Sequence, residues 1–183
     1  MNDDTASRRK RLERFLRDRD AHTLDHPGGT LLAHLNRVAD TLAAWGGGVD
    51  LQLAGLAHAV YGTDGFGPLL VELSDRPTVT EVIGERAEAL VYLYASCDRA
   101  ATYPGIDNSP MIFRDRFTGK DFQPADADLR AFVELTAANE LDVLAHNAEL
   151  AALHGAALHG LFSRARAHLS PAAWQACQAQ LSR

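Results

Sequence analysis

A chain of 183 residues, 46% hydrophobic and 23% charged, is the size of one globular domain with a core of its own, which excludes a disordered or fibrous chain. Its 18 Lys and Arg against 24 Asp and Glu leave a formal charge of −6, which argues against nucleic-acid partners and an anionic-membrane surface. No stretch reaches the ~18 uninterrupted apolar residues of a membrane-crossing helix, and the Asp- and Arg-rich start lacks the apolar block of a signal peptide, so a cytoplasmic protein is expected.

Residues 5–20 carry Arg8, Arg9, Lys10, Arg11, Arg14, Arg17 and Arg19. Glu13 and Asp18 fall at i,i+4 from Arg9, Arg14 and Arg17, so the run reads as a solvated helix laced with ion pairs, ahead of a nucleic-acid arm. The unit 1–21 is therefore a charged N-terminal helix. Pro27-Gly28-Gly29 marks a turn, and Thr30 is a fitting N-cap. Leu31, Leu35, Val38, Leu42 and Trp45 then form a stripe of period 3.6, closed by Gly46-Gly47-Gly48. His34 lies on or beside that stripe, which places an imidazole in the core.

Val49–Val60 is apolar nearly all round, as a central helix packed on several sides should be. His58 sits at its end, before the turn-forming Tyr61-Gly62-Thr63-Asp64-Gly65. Thr80–Arg99 reads as one helix, with Ile83, Ala87, Leu90, Tyr94 and Cys97 on one face and Asp98 beside it. Residues 102–124 break the pattern with three prolines, and Met111–Phe122 reads as a small hairpin, an excursion from the 22–147 core. Helices are expected again at about 125–147 and 148–169, with Ser170-Pro171 opening a last short one in the 148–183 segment. Cys97 and Cys177 are far apart and outside any CxxC pattern, so both are read as reduced structural thiols. The reading is all-α and single-domain, about seven helices with almost no sheet.

Metal binding needs donors converging from different elements, and His34 and His58 come from consecutive helices that a Gly-rich turn makes antiparallel neighbours. His26, eight residues before His34, could swing over the same end as a third imidazole. A hydrogen-bonded core histidine is the blander reading of each. His146, His154, His159 and His168 lie on C-terminal helices whose Ala-rich face would serve packing or a partner, a homodimer among them.

The order Thr30-Leu31-Leu32-Ala33-His34-Leu35-Asn36-Arg37-Val38, then Ala54-Gly55-Leu56-Ala57-His58-Ala59-Val60-Tyr61, resembles the first half of the HD-domain superfamily of metal-dependent phosphohydrolases. In that family one helix carries the first His, the next core helix ends in a His-Asp pair, and a later helix adds an acid. Ala137-Ala138-Asn139-Glu140-Leu141-Asp142 is the stretch that would match the last of these. The resemblance covers roughly 22–147, and with Ala95-Ser96-Cys97-Asp98-Arg99 its closest form is similar to a small uncharacterised HD-like bacterial family. The chain departs from the pattern at Ala59, where the paired Asp would stand, and at Asn139, where the later Asp would. Ala offers no ligand and Asn only a neutral oxygen, which argues against a binuclear site.

What the resemblance implies is a mononuclear site of His26, His34, His58 and Asn139, with Asp98, Asp142 or Asp64 supplying an oxygen, for Fe, Mn or Zn. Asp98 or Asp142 would then act as general base, Arg37 or Arg99 as anion clamp, and Tyr61 as a further catalytic group. Thr63, Asp64 and Tyr94 are assigned to substrate contact. The reaction implied is hydrolysis of a small phosphorylated or otherwise anionic substrate. The alternatives are an iron and dioxygen reaction of the inositol-oxygenase type, or a metal-free ligand-binding or regulatory module that has lost its acidic ligands. Structural readings compete throughout: Asp98-Arg99 as a helix-end ion pair, and Tyr61 and Tyr94 as core aromatics.

Overall fold

The computed structural model describes residues 2–65 and 67–182. Among them the chain is mostly helical, with nine α-helices and two small antiparallel ladders, and no helix is long and apolar enough to cross a membrane.

The charged N-terminal run is α1 (Asn2–Arg17), and it is not merely a solvated face. Leu12, Phe15 and Leu16 are buried. Only part of the expected ladder of intrahelical pairs is seen, at Arg9 and Glu13 (3.3 Å). Arg9 also reaches Asp40 and Asn36, while Arg8 and Arg11 donate to the carbonyls of Ile83 and Val82. Those carbonyls end a later helix, so the arginines satisfy acceptors that a helix C-terminus leaves open.

A hairpin too short to read from a pattern follows, β1 (Asp25–His26) against β2 (Gly29–Thr30), with His26 paired to Gly29. Thr30 then caps α2 (Leu31–Ala44) as expected, its hydroxyl accepting from Ala33 N at 3.3 Å. The central helix α3 (Val49–Ala57) ends at His58. The expected helix over 80–99 is instead two: Gly84, at φ +87°, separates α4 (Arg76–Ile83) from α5 (Glu85–Ser96). Residues with a side chain rarely adopt that φ, so the direction change belongs to the glycine. The chain turns again at Cys97, and Asp98 caps the short α6 (Arg99–Thr102) by accepting from Ala101 N. The excursion holds the expected hairpin, β3 (Phe113–Asp115) against β4 (Lys120–Phe122). It is tied to the core by the burial of Phe113. Then come α7 (Asp126–His146), α8 (Ala148–Arg164) and α9 (Pro171–Leu181), the last capped by Ser170 with Pro171 in its first turn.

Two buried apolar clusters meet along α2. Leu31, Leu35 and Ala39 join α1, α3, α4 and α5 on one side, and Val38 and Leu42 join α5, α7, α8 and α9 on the other. Cys97 and Cys177 are buried free thiols within the second cluster, and burial pushes both up to about 12.

The α2–α3 contact depends on a missing side chain. A Cβ on Gly55 would stand 2.6 Å from Leu42 Cδ1 and 3.4 Å from Ala39 Cα. Overpacking at about 1–3 kcal/mol outweighs the ~1 kcal/mol that Ala gains in helix propensity, so Gly55→Ala is expected to lower the melting temperature. A raised melting temperature would show that Leu42 absorbs the methyl.

Candidate functional site

His34 is 1% exposed, and both its ring nitrogens face oxygen atoms from α7. Nδ1 lies 2.6 Å from Asp142 Oδ2 and Nε2 lies 3.0 Å from Asn139 Oδ1. Asn139 and Asp142 share a helix face because they are three residues apart. The Asn139 amide is oriented by its neighbour, since its Nδ2 donates to Glu140 Oε1 at 3.2 Å. That leaves Oδ1 for His34.

Arg37, one turn beyond His34 on α2, closes the arrangement. Its Nε and Nη2 donate to the two Asp142 oxygens at 2.7 and 2.9 Å, and its other contacts are the carbonyls of Pro27 (3.1 Å) and Gly28 (3.2 Å) in the β1–β2 hairpin. Gly28 allows the approach: at φ +81°, it leaves no room for a Cβ, which would sit 2.5 Å from the His146 ring. The hairpin so anchored carries His26, whose ring stacks on His34 at 4.0 Å and 23°.

His58, 2% exposed, meets His34 edge-on at 5.2 Å and Tyr94 likewise at 5.2 Å. Its Nδ1 donates to Gly55 O at 2.8 Å, which fixes the tautomer because a carbonyl only accepts. Burial, and after it the adjoining His34 ring, press the proton affinities of His58 and His26 down, to about 3 and about 4. Burial would raise the Asp142 carboxyl, but the hydrogen bonds from His34 and Arg37 overcome it and hold it at about 2.

His26, His58, Ala59, Thr63, Arg99 and Asn139 border one large cavity of about 740 Å³, within the ~300–1,000 Å³ of small-molecule sites. His34 and Asp142 stand behind that wall. At its polar end Arg99 donates to Glu140 Oε1 (3.0 Å) and to the Tyr94 hydroxyl (3.1 Å).

Several expected roles change. Asp142 is ionised and engaged by two donors, so it orients His34 and is unsuited to act as general base. Arg37 spends its donors on Asp142 and the hairpin, so it is a buttress and no anion clamp. Asp98 is a helix cap, and Arg99 pairs with Glu140 instead of with Asp98. Asp64 accepts from the Arg99 backbone N–H at 3.0 Å and so positions that residue. Tyr94 is 3% exposed, with its hydroxyl on Arg99, and lies behind the wall. Tyr61 belongs to the α3–α5 core, where its hydroxyl donates to Glu88 beside Arg76. The pattern missed Glu140, His154 and Tyr103 as cavity residues. Glu140 was within sight, adjacent to Asn139.

The donor set bears on a metal ion. Among the described residues no three His, Cys, Asp or Glu side chains are arranged to hold one. The two stacked rings of His26 and His34 cannot aim in-plane lone pairs at one point, so His26 does not join His34 on a single ion. His34 Nε2 and Asn139 Oδ1 stand 3.0 Å apart, a separation natural to neighbouring ligands at ~2.1 Å, and the outer nitrogen of His58, which also has Asn139 as a hydrogen-bond partner, is the further donor beside them. All three donors are neutral, which suits an imidazole-preferring transition ion better than a hard one.

Residues 15–99 match the model of a family described as a domain of unknown function (DUF6817), from the end of α1 to the start of α6. No curated protein matches the chain, nor does any solved structure.

Proposed function

We propose that the chain is an HD-like helical protein that acts on a small molecule in this cavity, as a hydrolase using one transition-metal ion held by His34, His58 and Asn139. The observation that carries the reading is the His34–Asp142 contact of 2.6 Å. A carboxylate on the far nitrogen of a ligating histidine fixes its tautomer and raises its basicity, and the Gly55 carbonyl does the same for His58. The low proton affinity of His58 keeps its outer nitrogen available at neutral pH, as ligation requires.

A bound ion would supply Lewis acidity and a more acidic water. The chain's own residues have separate tasks: Arg37 and Asp142 hold His34 in place, Glu140 orients the Asn139 amide, and Arg99, paired with Glu140, borders the space. The test is elemental analysis of anaerobically purified protein beside its His34→Ala, His58→Ala variant. One ion per chain, lost in the variant, is the expected result; zinc or manganese supports hydrolysis, while iron favours an oxygen-dependent reaction. Ala59→Asp restores an acid at the cavity wall and is expected to tighten zinc binding by at least about tenfold, ~1.4 kcal/mol. No ion in the wild type after reconstitution overturns the reading.

A second reading rests on the Asn139 amide. With Oδ1 turned to His34 Nε2, both His34 nitrogens face acceptors, which an imidazolium satisfies without any ion. The cavity then belongs to a metal-free binding module. Nitrogen-15 shifts of His34 separate the two, because a ligating ring carries one N–H and a ring that donates to both Asp142 and Asn139 carries two.

A further inference from the structure

Away from His26 and His58 the cavity walls are mainly apolar, with Val143 and Leu144 of α7 and Leu150, Ala157, Leu158 and Leu161 of α8, and His154 among them. The charged groups on the same surface are already paired. Arg99 meets Glu140 at 3.0 Å, and Arg164 meets Asp107 at 3.7 Å and the Tyr103 carbonyl at 2.9 Å. Glu140 is itself a carboxylate with a side chain 14% exposed. A chain of phosphates entering this space would thus lose water, approach Glu140, and find the Arg99 guanidinium engaged, with only the exposed Arg164 at the rim to meet it, which makes its transfer unfavourable. An apolar body loses nothing of the kind and gains by leaving water.

We propose that the cavity takes an amphipathic molecule with an uncharged, apolar body, such as an alkyl, prenyl or aromatic chain, and a single compact polar end at Asn139 and His58, and that it rejects nucleoside phosphates. The body lies along the α7–α8 wall. This rests on the reading above only in that the cavity is the working site, and it does not depend on the ion. It replaces the phosphorylated substrate that the resemblance implies.

The probe is N-phenyl-1-naphthylamine, an uncharged dye that brightens in apolar surroundings, titrated into EDTA-treated protein and, separately, into zinc-loaded protein. Expected are saturable binding at one dye per chain, displacement by 1-decanol, and none by ATP. Leu158→Glu places a carboxylate on the wall and is expected to weaken the dye roughly tenfold or more. Leu158→Trp, which keeps the wall apolar but fills the space, weakens it too and guards against a folding defect in the first variant. Leu153→Glu, on the outer surface of α8 at 71% exposure, leaves the dye unchanged. Displacement by ATP, absence of dye binding, or an equal loss in Leu153→Glu overturns the proposal. Dye binding by protein that takes up no zinc upholds it while the metal reading fails, and zinc uptake without dye binding does the reverse.

Discussion

Asp142→Asn is expected to lower the stability of the folded chain by about 3–5 kcal/mol, the cost of removing one partner from a buried ion pair. The carboxylate is 8% exposed and accepts from His34 and Arg37 together. An amide in its place brings one acceptor where two donors converge, so His34 Nδ1, at 1% exposure, and one arm of Arg37 lose their partners. Urea denaturation at pH 7 measures the loss. A cost under about 1 kcal/mol, the range of exposed pairs, would show that the hairpin carbonyls take over both donors. The same carboxylate also has an acid signature. Its proton affinity is depressed to about 2 from an ordinary 3.8, so its contribution is complete above the higher value. That contribution disappears as pH falls from about 4 to about 2, and the Asn variant lacks this phase.

The second large effect runs in a different window. His58 titrates near 6.5 in the unfolded chain and at about 3 when folded. Between those values the unfolded state holds a proton that the native state does not. Stability is therefore full above pH 6.5 and falls with decreasing pH by up to about 1.4 kcal/mol per unit. His26, folded value about 4, acts in the same direction but less, being only partly buried. From pH 6.5 to about 4.5 the loss belongs to the imidazoles, before Asp142 begins to protonate. Urea midpoints across that range are expected to fall in the wild type and to fall less steeply in His58→Asn. Equal slopes in the two proteins would mean that His58 takes up its proton without leaving its place.

The helical stripes were readable because burial leaves a period. The stripe Leu31–Trp45 with its Thr30 cap, the start of α7 and the Ser170-Pro171 opening of α9 all stand within a residue or two of their expected places. His34 and His58 were legible as buried imidazoles for the same reason. Partner choice has no such period. That Asp142 serves Arg37 and His34 across more than a hundred residues, that Tyr61 turns to Glu88, and that Arg8 and Arg11 seek the end of α4 are all tertiary decisions. The break at Gly84 was hidden by a pattern that tolerates one glycine, and the two-residue β1–β2 ladder is shorter than any alternation could reveal. Glu140 is the instructive miss: a charged residue beside a proposed ligand reads as solvent-facing until the fold places Arg99 opposite it.

The contacts between His34 and α7 join residues 105 and 108 positions apart, and this separation has a kinetic meaning. Closing so long a loop costs entropy that local helix formation does not recover, so α2 and α3 can form and pair before any acceptor reaches His34. The polar corner is then assembled late, when α7 docks, and by the same reasoning it is dismantled early in any partial opening that releases α7. An intermediate that keeps its helices but has not docked α7 has near-native helical content and no site.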